Sequence, residues 1–131
     1  MINIYALENY HLKSCAQLYL DVFNAEPWND SWSVDGAYMR LKDIVNSPHF
    51  VGVIYEEDGI LKGALLGNCE QWFEGMHYNL REMFVANEAQ GSGIGRKMLT
   101  FMEEKLKIED VRTMLLFTSR DNLTSEFYKK N

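Results

Sequence analysis

Long apolar runs, a basic leader and cysteine pairs are all missing from this sequence. No run of about 18 apolar residues could form a membrane helix, and no basic-then-apolar signal peptide follows Met1. Cys15 and Cys69 are too few and too separated for a disulfide framework or a metal site. We therefore expect a cytoplasmic protein without a metal and without a membrane partner.

Basic charge is also scarce. The chain has 13 Lys and Arg residues against 19 Asp and Glu residues, and its net charge of −6 argues against a nucleic-acid partner. Its 131 residues, 47% of them hydrophobic, predict one domain over 1–131 with a single core. The basic residues cluster late in the sequence, at Arg96, Lys97, Arg120, Lys129 and Lys130. This asymmetry suits an anionic ligand there and a cationic acceptor elsewhere, with an ordinary acidic surface as the alternative.

Apolar periodicity and turn residues predict nine elements in the order βααβββαβα. The predicted strands are 2–5, 50–55, 60–66, 78–86 and 111–118. The predicted helices cover 12–23, the stretch from an N-cap at Ser33 to Pro48, the residues from a glycine turn to Ile108, and the chain from an N-cap at Asn122 onward. Between the second and third strands, the residues at 57–59 are typical of a hairpin turn.

The most informative stretch is Gln90-Gly91-Ser92-Gly93-Ile94-Gly95-Arg96-Lys97. A predicted strand precedes it and a predicted helix follows it. Such a turn presents backbone N–H groups and the positive end of a helix dipole to an anion. Its three glycines permit positive φ and the close approach of a ligand. The stretch therefore predicts a phosphate or pyrophosphate site.

Two common phosphate-binding motifs fit this turn poorly. The ATPase P-loop requires Gly-x-x-x-x-Gly-Lys-Ser/Thr, but Met98 follows Lys97, so no hydroxyl is placed to hold magnesium. The dinucleotide fingerprint requires glycine where Arg96 stands. It also lies early in a βαβ unit, whereas this turn lies two-thirds of the way along the chain.

The pattern Gln-x-x-Gly-x-Gly, formed by Gln90, Gly93 and Gly95, resembles the acyl-coenzyme A signature of the GCN5-related N-acetyltransferases, the GNAT family. The preceding Glu-Met-Phe-Val and the following Gly-Arg-Lys-Met-Leu are similar to that family too, and the element order matches its fold. The resemblance implies an α/β acyltransferase fold with a mixed sheet. It also implies acetyl-coenzyme A as the cofactor.

The resemblance places the cofactor in three segments. The pantetheine arm would lie between the fourth and fifth strands, bonded to the backbone of Met83, Phe84 and Val85; a plain core strand is the alternative. The pyrophosphate would lie on Gln90, Gly91, Ser92, Gly93, Ile94, Gly95 and Arg96. A second motif, Asn122-x-x-Ser125-x-Phe127-Tyr128, would place Asn122, Ser125 and Tyr128 at the cofactor.

Within that second motif, the resemblance implies that Tyr128 is the general acid, which protonates the thiolate as coenzyme A leaves. A phenol with an unperturbed pKa of about 10 is protonated at neutral pH. The alternatives are a helix cap for Asn122 and a core anchor for Tyr128.

Direct transfer of an acetyl group needs an unprotonated acceptor amine, so a base must remove a proton from it. Glu82 is the first candidate for this base. Strand alternation predicts that it shares a face with Leu80 and Phe84. A carboxylate in the core without a partner would be costly, so a cleft is favoured. The alternatives are Glu26, Glu70 or His77 as the base, and a structural ion pair of Glu82 with Arg81 or Arg96. A covalent route through Cys69 is set aside, because no basic residue flanks it and Glu70 is expected to raise the pKa of its thiol.

The loop between the first two helices falls where GNAT proteins build the acceptor pocket. There Glu26, Trp28 and Trp32, together with Glu70, are predicted to bind the substrate. Aromatic walls with carboxylates recognise ammonium groups by cation–π attraction and charge. The arrangement resembles members similar to the aminoglycoside 6′-N-acetyltransferases. The alternative is that the two tryptophans only hold the loop to the core.

The chain stops where a GNAT sequence usually continues into two more strands. We therefore expect a C-terminally shortened domain whose fifth strand is an exposed apolar edge. Such an edge predicts self-association, or a partner strand that covers it.

Together, these patterns predict an acetyl-coenzyme A-dependent N-acetyltransferase. It would transfer an acetyl group to a primary amine of a small cationic acceptor by direct attack in a ternary complex. The alternatives are an acyl-coenzyme A-binding or regulatory protein without turnover and a purely structural subunit.

Overall fold

A computed structural model describes residues 1–116 of the chain. The strands are β1 (Ile2–Ala6), β2 (Phe50–Glu57), β3 (Ile60–Trp72), β4 (Gly75–Val85) and β5 (Thr113–Leu116). The helices are α1 (Leu12–Phe23), α2 (Val34–Val45) and α3 (Ile94–Ile108), with 3₁₀ turns at Asn9–His11 and Asn87–Ala89. The predicted order is confirmed as far as β5, and the helix predicted from Asn122 lies outside the described residues. Over 1–116, no helix is long and apolar enough to cross a membrane.

The five strands form one mixed sheet in the order β1-β2-β3-β4-β5. Each strand is antiparallel to its neighbour except β5, which runs parallel to β4. A parallel pair needs a crossover connection, and α3 provides it. The predicted α/β fold with a mixed sheet is confirmed. Within 1–116, β5 pairs with β4 alone, and self-association through its other edge stays a prediction.

Helices cover both faces of the sheet. α1 and α2 pack on one face in a cluster that includes Tyr19, Leu41 and Phe84. α3 packs on the other face, where Met98 and Leu80 are fully buried. Each such side chain contributes roughly 1.5–3 kcal/mol by burial, so the central strands are held from both sides.

Local signals start and end these elements as the sequence predicts. The Ser33 hydroxyl accepts a hydrogen bond of 2.9 Å from the Gly36 N–H and caps α2. Asp58 and Gly59 form the two-residue β2–β3 turn with φ values of 53° and 80°. Positive φ at both positions is the requirement of a type I′ hairpin.

The β3–β4 hairpin is longer than the sequence predicts, since β3 continues beyond residue 66 and β4 begins at Gly75 rather than at 78. Gly67 lies inside β3 because the two strands approach closely there. A Cβ atom at Gly67 would collide with the Asn79 carbonyl oxygen and with the Tyr78 hydroxyl. Tyr78 donates its hydroxyl proton to the Val51 carbonyl at 2.7 Å, which fixes the ring over this glycine.

A β-bulge interrupts the same hairpin at Arg81. Leu66 lies opposite Glu82 and Gly67 lies opposite Leu80, so Arg81 has no partner on β3. One extra residue inverts the alternation of side chains beyond it. Leu80 therefore packs with α3, whereas Phe84 packs with α1 and α2 and Glu82 bonds to side chains of those two helices. The prediction that Glu82 shares a face with Leu80 is wrong; for Phe84 it is right.

Candidate active site

The glycine turn joins the end of β4 to the start of α3. Gly91 and Gly93 have φ values of 86° and 87°, and Gly93 is the N-cap of α3. A Cβ at either position would meet nothing within 4 Å. Glycine is therefore required here for its backbone conformation, and the space beside the turn is open.

The amides of this turn point to an anion site. In the first hydrogen bond of α3, the Lys97 N–H donates to the Gly93 carbonyl at 3.0 Å. The N–H groups of Ile94 and Gly95 come before Lys97 in the chain and lie at the N-terminus of the helix. Neither these two amides nor those of Gly91 and Gly93 donate to a backbone carbonyl within the described part of the chain. Free N–H groups at a helix N-terminus bind phosphate well. The turn is therefore suited to an anion such as a phosphate, and its role at the pyrophosphate of coenzyme A stays a prediction.

Gln90 shapes the turn from within. Its Nε2 donates to the Val85 carbonyl at 3.2 Å and lies 3.3 Å from the Asn87 Oδ1. Ser92 likewise donates its hydroxyl proton to the Ala89 carbonyl. The two side chains predicted at the cofactor thus brace the backbone that carries the free amides.

Beside the turn, part of one edge of β4 has no partner among residues 1–116, and we call it the open segment. β5 pairs only with residues 77–80 of β4, and residues 81–85 have no partner on that side among residues 1–116. Met83, Phe84 and Val85 lie in this segment. Phe84 is buried against α1, and Met83 and Val85 pack on the α3 face. Their side chains are core residues, and on the β5 side their backbone has no strand partner among residues 1–116.

Glu82 lies in this segment, directly after the bulge at Arg81, and is only 3% exposed. Its Oε2 accepts a hydrogen bond of 2.9 Å from the Tyr19 hydroxyl. The same oxygen accepts two bonds of 3.1 Å from Nε and Nη2 of Arg40. A buried carboxylate needs such compensation. The ion-pair partner that the structure gives is Arg40, which the sequence analysis did not consider.

A polar cleft of about 630 Å³ lies on the α2 side of the β3–β4 hairpin, next to Pro48 and His49. Asn68 and Asn79, which face each other across the two strands, line it together with Glu70 and Arg81. The Asn79 Nδ2 donates to Glu70 Oε1 at 3.1 Å, and the Asn68 Nδ2 donates to the Pro48 carbonyl at 3.2 Å. Both Oδ1 atoms are buried with no partner in residues 1–116. Each such oxygen costs about 1–3 kcal/mol.

The loop between α1 and α2 is held to the core. Asn24 clamps Trp32 by accepting from its N–H at 2.8 Å and donating to its carbonyl at 2.9 Å. The indole N–H of Trp32 donates to Asp30 at 3.0 Å, and Trp28 packs edge-on against Phe23. Both tryptophans are half-buried against the core cluster that α1 and α2 form on the sheet. Glu26 is exposed. The structure thus supports the anchoring role, and a role in acceptor binding stays a prediction.

The remaining candidate site residues lie at separate positions in the chain and the fold. His77 lies opposite Glu70 in the hairpin, with Nε2 2.8 Å from Glu74 Oε1 and its ring stacked on Trp72. Cys69 is buried, and burial, followed by the charge of Glu109, raises the pKa of its thiol. The source of that charge is Glu109 and not the predicted Glu70. Asn122, Ser125 and Tyr128 lie outside the described residues.

A family model described as an acetyltransferase (GNAT) domain matches residues 47–131. The chain belongs to the GNAT acetyltransferase family. This membership confirms the predicted family and its cofactor, acetyl-coenzyme A. No curated protein sequence matches the chain.

Solved structures of other GNAT proteins share this fold at low sequence identity. An aminoglycoside acetyltransferase from an uncultured soil metagenomic sample, in complex with sisomicin, is 18% identical over 98% of this chain and 86% of its own, with a TM-score of 0.73. AAC(6′)-Iy in complex with a coenzyme A bisubstrate analogue is 17% identical over 96% and 85%, with a TM-score of 0.70. The ribosomal-protein-alanine N-acetyltransferase of Brucella melitensis biovar Abortus 2308 is 13% identical over 99% and 90%, with a TM-score of 0.79.

Sequence reasoning missed Arg40, Tyr19 and Asn79 in this GNAT chain. A signal for Arg40 was present, because it follows Ala37 by three residues and precedes Ile44 by four, which places it on the buried stripe of α2. A charged residue on such a stripe calls for a buried partner. Asn79 had no comparable signal, since its unsatisfied oxygen depends on the hairpin register.

Proposed function

We propose that this chain is an N-acetyltransferase that uses acetyl-coenzyme A to acetylate the primary amine of a small cationic acceptor, which attacks directly in a ternary complex. One observation supports this most. The glycine turn, whose amides find no backbone acceptor among residues 1–116, directly follows β4 residues 81–85, which pair on one side only within residues 1–116 and include the buried Glu82 carboxylate.

The turn and the open edge divide the cofactor between them. The amides of Gly91, Gly93, Ile94 and Gly95 hold the pyrophosphate. The backbone of Met83 to Val85 bonds the pantetheine arm as an added strand would. Asn122 and Ser125 belong to the same contact by resemblance.

The chemistry requires a proton to leave the amine and another to reach the sulfur. Acetyl-coenzyme A, when bound, would supply the acetyl thioester that the amine attacks, with the coenzyme A thiolate as the leaving group. An alkyl ammonium with a pKa near 10 must first lose its proton. Glu82 takes that proton on Oε1, directly or through water, because Oε2 is held by Arg40 and Tyr19. Tyr128 would give its phenolic proton to the leaving sulfur and regain one, directly or through water, from the nitrogen, which loses its second proton as the amide forms.

The alternative of a coenzyme A-binding protein without turnover is favoured by one observation. Glu82 is almost fully buried and is already paired with Arg40, whose side chain is 35% exposed. A base in that position needs a path by which the acceptor reaches it past Tyr19 and Arg40.

Two measurements separate these functions. Acetyl-coenzyme A-dependent thiol release over a panel of small amines, with mass spectrometry of the acetylated products, tests turnover. Calorimetry with coenzyme A tests the cofactor site. Enzyme function predicts both signals, whereas binding without product from any amine establishes the alternative. A folded protein that binds no coenzyme A refutes both.

A further inference from the structure

The polar cleft on the β3–β4 hairpin carries features that the transfer chemistry alone does not need. Asn79 is 6% exposed, and its Oδ1 and that of Asn68 are buried acceptors without a donor in residues 1–116. The orientation of both carboxamides is fixed, because each Nδ2 is held by Glu70 or by the Pro48 carbonyl. Two fixed acceptor oxygens beside a carboxylate are suited to a ligand that brings N–H donors.

The opposite end of the cleft carries the opposite charge. The Arg81 side chain lines it and makes no hydrogen bond or ion pair with the side chains of residues 1–116. A guanidinium binds a carboxylate through two parallel N–H bonds. The same charge repels a polycation. The cleft thus presents an acceptor end at Glu70 and Asn79 and a donor end at Arg81.

The bulge places this donor end next to the candidate base. Because Arg81 is the extra residue, it lines the cleft with Asn79 while the following residue, Glu82, lies against α1 and α2. Read from Glu82 toward its N-terminal end, β4 therefore carries the candidate base, then the guanidinium of Arg81, and then the amide oxygen of Asn79. Asn79 and Arg81 lie about 7 Å apart, from a rise of about 3.4 Å per residue.

We propose that this cleft selects a free amino acid whose side chain ends in an N–H donor, such as L-lysine, as the acetyl acceptor. This inference rests on the proposed function and names its substrate class. Arg81 binds the α-carboxylate, Glu82 faces the α-amine that is acetylated, and Glu70 with the Asn79 Oδ1 binds the end of the side chain. Arg81 and Asn79 are specificity residues in this arrangement.

The test measures binding and turnover separately. Calorimetry on the coenzyme A-loaded protein, which carries no acetyl group to transfer, compares L-lysine with L-lysinamide, an otherwise identical amine without the carboxylate. We expect L-lysine to bind at least tenfold more tightly. R81M should remove that preference and leave lysinamide affinity within twofold. The matched control is R112M, because Arg112 is exposed and pairs only locally with Asp110.

Each outcome of these measurements supports or overturns the proposed amino-acid specificity of the cleft. Equal affinity for the two ligands, or no lysine binding at millimolar concentration, overturns the proposal. Tighter binding of spermidine or sisomicin that improves further in R81M overturns it in favour of a polycation. If lysine binds with the expected preference but no amine is acetylated, the proposed function fails while the cleft assignment stands. An unchanged thermal midpoint in R81M excludes unfolding as the cause.

Discussion

The two halves of β4 are built differently, and the bulge at Arg81 separates them. The first half pairs with β3 and β5, and Tyr78 and Leu80 there are fully buried under α3. The second half pairs with β3 alone within the described residues and carries Glu82 toward α1 and α2. Within residues 1–116, this strand thus has partners on both sides at one end and on one side only at the other. The comparison teaches that the site depends on an interruption of regular structure.

The largest effect is expected where the two strands touch. G67A should lower the free energy of unfolding by about 3 kcal/mol or more, because the new methyl group collides with backbone and with a fixed tyrosine. The matched control is G63A, whose methyl group meets only the side chains of Ile94 and Met98 at 3.1 Å and should cost about 1 kcal/mol. Urea denaturation measures both. Equal losses would show that the close approach at Gly67 does not hold the hairpin.

The open half is tested by E82Q, which keeps the shape of the side chain and removes the base. Turnover should fall by about 10²–10⁴. Stability should fall by about 1–3 kcal/mol, because Arg40 loses a charged partner. The control is E88Q, since Glu88 pairs with Lys62 at the surface. Single-turnover kinetics with the wild-type rate in E82Q would remove Glu82 from proton transfer.

The cofactor-side acid is tested by Y128F, a prediction on a residue outside the described part of the chain. Turnover should fall by about 10²-fold, because the ring remains and only the acid is lost. Affinity for coenzyme A in calorimetry should stay within twofold. Unchanged turnover, with chemistry shown to be rate-limiting, would place Tyr128 in the core instead.

The smallest expected effect concerns the turn that follows the open half. Gly93 and Gly59 have positive φ values of 87° and 80° and no atom near their missing Cβ. Alanine should therefore cost each about 1–2 kcal/mol of stability. Only G93A should also weaken coenzyme A, by about tenfold in calorimetric Kd, because only this glycine is at the anion site. Equal cofactor affinity in the two folded variants would contradict that assignment.

Sequence reasoning succeeded where a feature is local. The Ser33 cap, the Asp58–Gly59 turn and the glycine turn before α3 each follow from a few adjacent residues. It failed at the bulge, because strict alternation puts Leu80 and Glu82 on one face and no residue type announces an extra position. It also missed the bond between Arg40 and Glu82, which are 42 residues apart. Such a contact depends on how α2 crosses the sheet, and the sequence of neither segment contains that information.

The Glu82 carboxylate is bound by both helices that bracket the loop of residues 24–33. Tyr19 reaches it from α1 and Arg40 from α2, on a single oxygen. This one oxygen therefore links α1 to α2, the two helices that the loop connects along the chain. Any displacement of the loop that pulls either helix must lengthen one of these bonds and turn the carboxylate. The position of the loop and the orientation of the Glu82 carboxylate are therefore mechanically coupled.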